Sequence, residues 1–414
     1  VVTIVIARVL GPSGKGAYSL ILLVSTLLFI LGNLGINISN VYFGGKQKYS
    51  WAEIASNSLI LALALGFSIA TAFLTYFFVF QPSFLKGLEP RCIVLATLVL
   101  PFNFLSMYFS YILLGQNRIM DFNLVGLLSS CTLLALIFLI LFAFKGEVFG
   151  AILAAAGAAL ITAIVCILLV RRVTKITWSF SPALFKDSLK FGVKGYLGNV
   201  IQFLNYRLDM LLVNFFLSVA FVGYYTVAVS FAEALWYFPG AVGTVIFART
   251  PGISTEEANR STPKVYRNTL FLTILAAVAL FILSKSVVLL LFGPAFLPAI
   301  QPLKILLPGV VALGSTKVLT NEIAGRGRPI INTIAAGVSL IINISLNILL
   351  IPTMGISGAA LASTISYSVT SVIVFIAFIR ISHNSIFDTL IIKPRDLRVY
   401  AQLLTKGRKL AFQE

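Results

Sequence analysis

The hydrophobic pattern of the chain is a succession of long apolar runs separated by short polar breaks. Their approximate limits are 1–10, 17–44, 53–81, 91–114, 121–144, 148–170, 192–217, 220–247, 267–292, 296–321, 330–351 and 356–379. A helix of about 20 apolar residues crosses ~30 Å of hydrocarbon. The runs therefore predict about twelve transmembrane helices. Ten-residue segments of alternating polarity, the mark of a membrane β-barrel, are absent from the sequence. The first run, "VVTIVIARVLG", is short, so the first helix is expected to be incomplete. Connections are short except after the sixth and eighth runs, and the stretch from Ile381 to Glu414 is polar and basic.

Composition strengthens this picture. The 414 residues are 59% hydrophobic and 11% charged, against about 25% charged in a soluble domain. Mean hydropathy is +1.01. Such a chain cannot bury its apolar surface in one water-soluble core, and the fold class is an all-α membrane protein.

Charge adds an orientation. Of the 31 Lys and Arg residues, 22 fall in the loops after even-numbered runs and in the tail, and five in the loops after odd-numbered runs. Positive residues favour the cytoplasmic side. Both termini and the loop at 171–194 are therefore expected in the cytoplasm, with the protein in the inner membrane. The net charge of +18 is dispersed over these loops, which argues against a nucleic-acid partner. Cys92, Cys131 and Cys166 lie in or beside apolar runs and are read as buried packing thiols. His383 is the only histidine. With no Walker loop, HExxH or metal-spaced cluster, neither cofactor nor metal is expected.

The two halves repeat. "GKGAYSL" (Gly14–Leu20) recurs loosely as "FVGYYTV" (Phe221–Val227), pairing Gly16 with Gly223 at a spacing of 207. "GQNR" (Gly115–Arg118) recurs as "GRGR" (Gly325–Arg328), and "GEVFGAILA" (Gly146–Ala154) as "GISGAALA" (Gly355–Ala362), at 210 and 208. An offset of six spans gives both halves the same orientation, so their pseudo-axis should follow the membrane normal. The expected organisation is an N-terminal lobe at 1–170, a cytoplasmic linker at 171–190, a C-terminal lobe at 191–380 and a basic tail at 381–414. Substrate sites in such folds lie between the repeats near the midplane.

Several of these stretches carry a family resemblance. "ARVLGPSGKGAYSL" (Ala7–Leu20), "NYRLD" (Asn205–Asp209), "VGYYTVA" (Val222–Ala228), "GRGRP" (Gly325–Pro329) and "GISGAALAST" (Gly355–Thr364) resemble the polysaccharide transporter family. These are the O-antigen and capsule-unit flippases of the multidrug/oligosaccharidyl-lipid/polysaccharide exporter superfamily. The resemblance implies a V-shaped, two-lobe, twelve-helix fold that works by alternating access. It implies a polyprenyl-diphosphate-linked oligosaccharide as the substrate, moved from the inner to the outer leaflet. The partners to expect are that lipid-linked oligosaccharide, membrane lipids, a coupling ion (H+ or Na+) and the glycan polymerase machinery.

Charges inside apolar runs narrow the site. A charge at mid-bilayer costs ~3 kcal/mol on insertion scales. Runs two to six carry none in their cores, whereas the second half places Arg207, Asp209, Glu233, Lys285, Lys304 and Lys317 there. Lys317 sits near a helix end and is expected to snorkel. On a helical wheel Asn199, Gln202, Asn205, Tyr206 and Asp209 share one arc, with Arg207 opposite. Arg207, Lys285 and Lys304 are the candidate diphosphate-binding side chains, since cations attract the anionic headgroup and a guanidinium binds phosphate bidentately. Ion pairs such as Arg207–Glu233 or Asp209–Lys304 are the structural alternative. Asp209 and Glu233, with Asn205 and Gln202, form the candidate polar or ion-coupling group. A desolvated carboxylate holds protons more tightly; permanent neutralisation by a neighbouring cation is the alternative. Trp236 either stacks on a sugar or packs near Pro239-Gly240, a pair expected to kink its helix. Arg395–Leu410 is read as an interfacial helix or a frayed tail.

Three rival functions remain at this level: a drug/cation antiporter, a peptidoglycan-precursor flippase and a membrane glycan polymerase. The outer loops are short, which argues against the enzyme.

Overall fold

The computed structural model of the chain describes residues 1–143, 146–393 and 396. Among these residues every regular element is helical: α1 (Val2–Asn33), α2 (Ile36–Gly45), α3 (Trp51–Phe80), α4 (Pro90–Leu98), α5 (Leu100–Gly115), α6 (Ile119–Phe138), α7 (Val148–Arg171), α8 (Pro182–Phe216), α9 (Val219–Ala234), α10 (Tyr237–Arg249), α11 (Thr255–Phe292), α12 (Ile300–Gly325), α13 (Ile330–Met354), α14 (Ile356–Ser382) and α15 (Ile386–Leu390), with short 3-10 and π turns between some of them. The all-α membrane architecture is present. Lys145 and the Arg395–Leu410 stretch lie outside the described residues, apart from Asp396.

Among the described residues, nine helical segments are long and apolar enough to cross a membrane, or ten if α9 and α10 form one span bent by 47°. The difference from twelve has two causes. The runs at 1–10 and 17–44 share α1, in which Gly11 breaks the helical geometry (φ 66°, ψ −173°) ahead of Pro12. Helix α8 is 35 residues long, but its Lys, Asp and Arg side chains lower its hydropathy. With α1 divided at Gly11 and α8 included, each of the twelve runs has a helical counterpart. The second run is itself discontinuous, because Leu34 and Gly35 both turn left-handed (φ 52° and 73°) between α1 and α2. The bend in the eighth run falls at Leu235–Trp236, one turn before the expected Pro-Gly pair. Pro239 lacks an N–H for the Leu235 carbonyl and its ring crowds that carbonyl, so the break appears four residues upstream.

The chain forms two compact units, Val1–Val227 with Leu290–Phe296, and Ala228–Leu289 with Leu297–Glu414. In lipid there is little hydrophobic gain from bringing helices together, so close packing and interhelical hydrogen bonds must hold them. The first unit centres on α5, where Phe104, Tyr108, Phe109 and Leu113 pack with residues of α2, α3 and α7. Gly66 admits Pro101, whose Cα lies 2.5 Å from where a Cβ would stand. Gly192 of α8 meets the Leu34–Gly35 break, as its small size predicts: a Cβ there would stand 2.5 Å from the Leu34 carbonyl oxygen. Gly16 and Gly223, the glycines matched by the sequence repeat, cross each other. A Cβ on Gly16 would fall 1.8 Å from the Val219 carbonyl oxygen, and one on Gly223 2.0 Å from that of Pro12.

In the second unit α12 packs against both α10 and α14. Gly309 faces Thr364, whose hydroxyl donates to the Ile305 carbonyl at 2.6 Å. Ser339 and Ser366 join α13 to α14 by hydroxyl contact at 2.7 Å.

Two stretches expected as connectors are partly folded. In 171–190, Thr177 N–H donates to Ser56 (2.9 Å), Ser181 N–H donates to Asn57 (2.6 Å), and Asp187 on α8 pairs with Lys48 (2.6 Å). Past residue 381, Arg267 holds Asp396 through two hydrogen bonds of 2.6 and 2.9 Å and donates to the Asp388 carbonyl. Cys92 and Cys166 are buried, but Cys131 is exposed on α6, which corrects the reading of all three as buried thiols.

Candidate functional site

The polar arc of α8 is realised in the first unit. Asn205 is fully buried and Asp209 is 1% exposed. Tyr225 of α9, itself fully buried, donates its hydroxyl to Asp209 Oδ2 at 2.6 Å, and Met210 N–H donates to Oδ1 at 2.8 Å. The Tyr225 bond ties α9 to α8 through Asp209. Two turns earlier, Gln202 Nε2 is buried without a hydrogen-bond partner among the described residues. Arg207, off this arc, is half-buried and donates to its neighbour's carbonyl, Tyr206 O, at 3.1 Å.

A second cluster forms in the second unit around the α9–α10 bend. Trp236 is buried, donates Nε1–H to the Val310 carbonyl at 2.9 Å and meets Tyr367 edge-on at 5.6 Å. Gly314 makes room for the indole on α12. Lys317 Nζ lies 4.8 Å from the Trp236 ring centroid, a cation–π distance, and interacts electrostatically with Glu233. The expectation that Lys317 snorkels away is thus corrected: its ammonium turns onto the tryptophan. Lys304 is half-buried with Nζ 4.7 Å from the Phe281 ring centroid. Lys285 is exposed on α11, one turn after Phe281, and has no ion-pair partner among the described residues.

Two features went unseen in the sequence. Lys15, counted there as a loop residue, is buried in α1, with Nζ donating to Ser19 Oγ at 2.6 Å. Its place just after the Gly11 break hid it. The other is a cavity of about 640 Å³ in the first unit, among α1, α5, α6 and α7, with Ser25, Thr26, Asn103, Ser106, Asn123 and Thr162 on its wall. Among the described residues, its lining carries no charged side chain. Thr26, Ser106 and Thr162 spend their protons on carbonyls of their own helices, at 2.7–2.8 Å. Their oxygens therefore remain acceptors, and the amides add both donors and acceptors. Scattered Ser, Thr and Asn on separate helices give no periodic signal, which is why only the fold assembles them.

Comparison with known proteins decides the family. A family of polysaccharide biosynthesis proteins matches residues 1–249, more than half of the chain. The chain belongs to this family. Within curated proteins, it is 29% identical over 196 residues to an uncharacterized membrane protein of Methanocaldococcus jannaschii, covering 45% of this chain and 38% of that protein. It is 25% identical over 208 residues to a probable low-salt glycan biosynthesis flippase of Haloferax volcanii, covering 48% and 44%. The chain spans less than half the length of these curated relatives. In fold, this member of the family is similar to a multidrug resistance MATE family transporter of the MOP superfamily (TM-score 0.78, 19% identity, 92% of this chain and 93% of that one). It is equally similar to the lipid II flippase MurJ (TM-score 0.78, 16% identity, 92% and 87%). The chain shares the fold of these two solved structures.

Proposed function

We propose that the protein is a flippase for a polyprenyl-diphosphate-linked oligosaccharide, moving the unit from the inner to the outer leaflet of the cytoplasmic membrane by alternating access. Membership of the polysaccharide biosynthesis family, on a transporter fold, carries this reading. The glycan-flippase relative supports the cargo class. In this reading the lobes at 1–170 and 191–380 move about the 171–190 connection, with both termini cytoplasmic. The neutral cavity of the first unit offers hydroxyl acceptors and amides, a chemistry suited to sugar hydroxyls. Arg207, Lys285 and Lys304 attract the diphosphate, and Trp236 stacks on a sugar as its polar groups exchange. Asp209 and Glu233, with Asn205 and Gln202, form the polar group that a coupling H+ or Na+ would use, and the exported unit passes to the polymerase machinery. The protein is not an enzyme in this reading.

A cation antiporter is the second reading, because a MATE transporter is as similar in fold as MurJ. A cavity lined without a carboxylate counts against it. The test is a strain lacking this gene. Complete lipid-linked units held on the inner leaflet, with surface polymer lost, support the flippase. Normal glycan with new sensitivity to cationic compounds refutes it in favour of the antiporter.

A further inference from the structure

At one end of the second unit, three chain turns surround a cavity of about 610 Å³. The α10–α11 turn brings Ser254 and Thr255, the α12–α13 turn brings Arg326 and Arg328, and the end of α14 brings Arg380 and His383. Among the described residues, no acidic side chain is part of the wall. Just after α12, Gly327 turns left-handed (φ +79°) and Arg328 N–H returns to the Ile323 carbonyl at 3.1 Å, so both flanking arginines line the cavity. Arg326 is already committed: it pairs with buried Glu322 and donates to Asn259 Oδ1 at 2.6 Å. Arg328 and Arg380 are exposed and have no ion-pair partner among the described residues.

The repeat supplies an internal control. Arg118 stands in "GQNR" where Arg328 stands in "GRGR", and Arg118 is neutralised by Asp121 three residues on. The corresponding residue after Arg328 is Ile331. A residue kept only to anchor topology needs no such difference. In the second repeat the cation stands without such a counter-ion among the described residues, and a cavity lies beside it. Guanidinium pairs with hydroxyls nearby suit a compact, multiply charged oxyanion.

We infer that the Arg328–Arg380 cavity is a binding site for a phosphate- or diphosphate-bearing lipid headgroup. The inference rests on the membrane fold and holds whatever cargo the protein carries. The purified full chain in neutral detergent is titrated with pyrophosphate, farnesyl diphosphate and dioctanoyl phosphatidic acid, and binding is read with ligand-free thermal unfolding as the folding control. The expected result is saturable, salt-sensitive binding that weakens about tenfold in R328Q/R380Q, with unchanged unfolding, and is kept in R171Q. Farnesyl diphosphate binding best identifies a prenyl-diphosphate headgroup. Phosphatidic acid binding best identifies a bilayer phospholipid, and equal binding of pyrophosphate shows that the charged group alone is read. R328K, which keeps the charge and loses the fork, is expected to fall between wild type and the double variant. No binding of any probe, or binding undiminished in R328Q/R380Q, overturns the inference. Loss of glycan export in cells without loss of this binding would concern the proposed cargo and leave the site standing.

Discussion

The crossing of Gly16 and Gly223 gives a prediction whose sign separates close packing from helix propensity. In an open helix interior, Gly→Ala stabilises by ~1 kcal/mol, because Gly loses more backbone freedom on folding. At Gly16 the new methyl would stand 1.8 Å from the Val219 carbonyl oxygen, and real Cβ contacts below 3.0 Å essentially never occur. The obstacle is backbone, so no rotamer relieves it, and the helices must separate by more than an ångström. Overpacking of this kind costs ~1–3 kcal/mol and here belongs at the upper end. Gly16→Ala should therefore lower stability by about 2 kcal/mol net. Gly126→Ala and Gly337→Ala, where nothing lies within 4 Å, should raise it slightly. Gly223→Ala should match Gly16→Ala, because its methyl would stand 2.0 Å from the Pro12 carbonyl. The double variant should cost less than the two losses together, since one separation accommodates both methyls. Unfolding of purified variants, by heat and by denaturing detergent, ranks the five. If Gly16→Ala behaves like Gly126→Ala, the two helices do not cross closely there and the argument fails.

Three further outcomes follow from named contacts. Tyr225→Phe removes the 2.6 Å donor to buried Asp209 and should destabilise by ~1–3 kcal/mol; unchanged unfolding would show that other partners satisfy the carboxylate. Trp236→Phe loses the indole donor to the Val310 carbonyl, a cost of ~1 kcal/mol, and should weaken protection of the α10–α12 contact in hydrogen exchange, whereas equal protection would remove Trp236 as its clasp. The two hydrogen bonds from Arg267 hold the Asp396 carboxyl below its usual range. Its stabilisation is therefore complete above the unfolded value of ~3.9 and fades as pH falls through the lower folded value. Hydrogen exchange at 386–390 should rise only at strongly acidic pH in wild type and already at neutral pH in Asp396→Asn, and a pH-independent wild type would refute the pairing.

The helices were legible because a membrane span leaves a strong, local signal: length and hydrophobicity suffice. Two glycines that the sequence pairs at a spacing of 207, Gly16 and Gly223, stand in close contact. Contacts across elements were less visible. Lys317 reads as a snorkelling residue from its place near a helix end, and only the α9–α10 bend brings Trp236 beneath its ammonium. Pro239 announced that bend but not its position, since proline acts on the carbonyl four residues earlier. The neutral cavity of the first unit was hidden for a related reason. A lone Ser or Thr on an apolar helix is ordinary, because its hydroxyl can bond its own backbone. Four helices must be assembled before such residues become a wall.

That neutral wall bears on what a flippase of the proposed kind must do. A carrier has to bind its cargo firmly enough to load it and weakly enough to release it. Each hydrogen bond to a sugar replaces one to water and nets only ~0.5–1.5 kcal/mol. Many such bonds select a polyhydroxyl surface without any one of them trapping it. A buried, unpaired charge acts differently: it is costly when empty and binds strongly when filled. In the first unit the buried carboxylate is held by Tyr225 and Met210 rather than lining the cavity. In the second, Lys317 is occupied by Trp236 and Glu233. Arg328 and Arg380, at helix ends and without an ion-pair partner among the described residues, are exposed, and solvent screens charges so placed. An anionic headgroup can then be attracted at those positions and released again, while neutral groups meet the glycan. On this argument, a charge placed inside the cavity, as in Asn103→Asp, should slow export of a neutral glycan more than Asn103→Ala at equal protein levels, and a faster or unchanged Asn103→Asp would remove the cavity from the glycan's path.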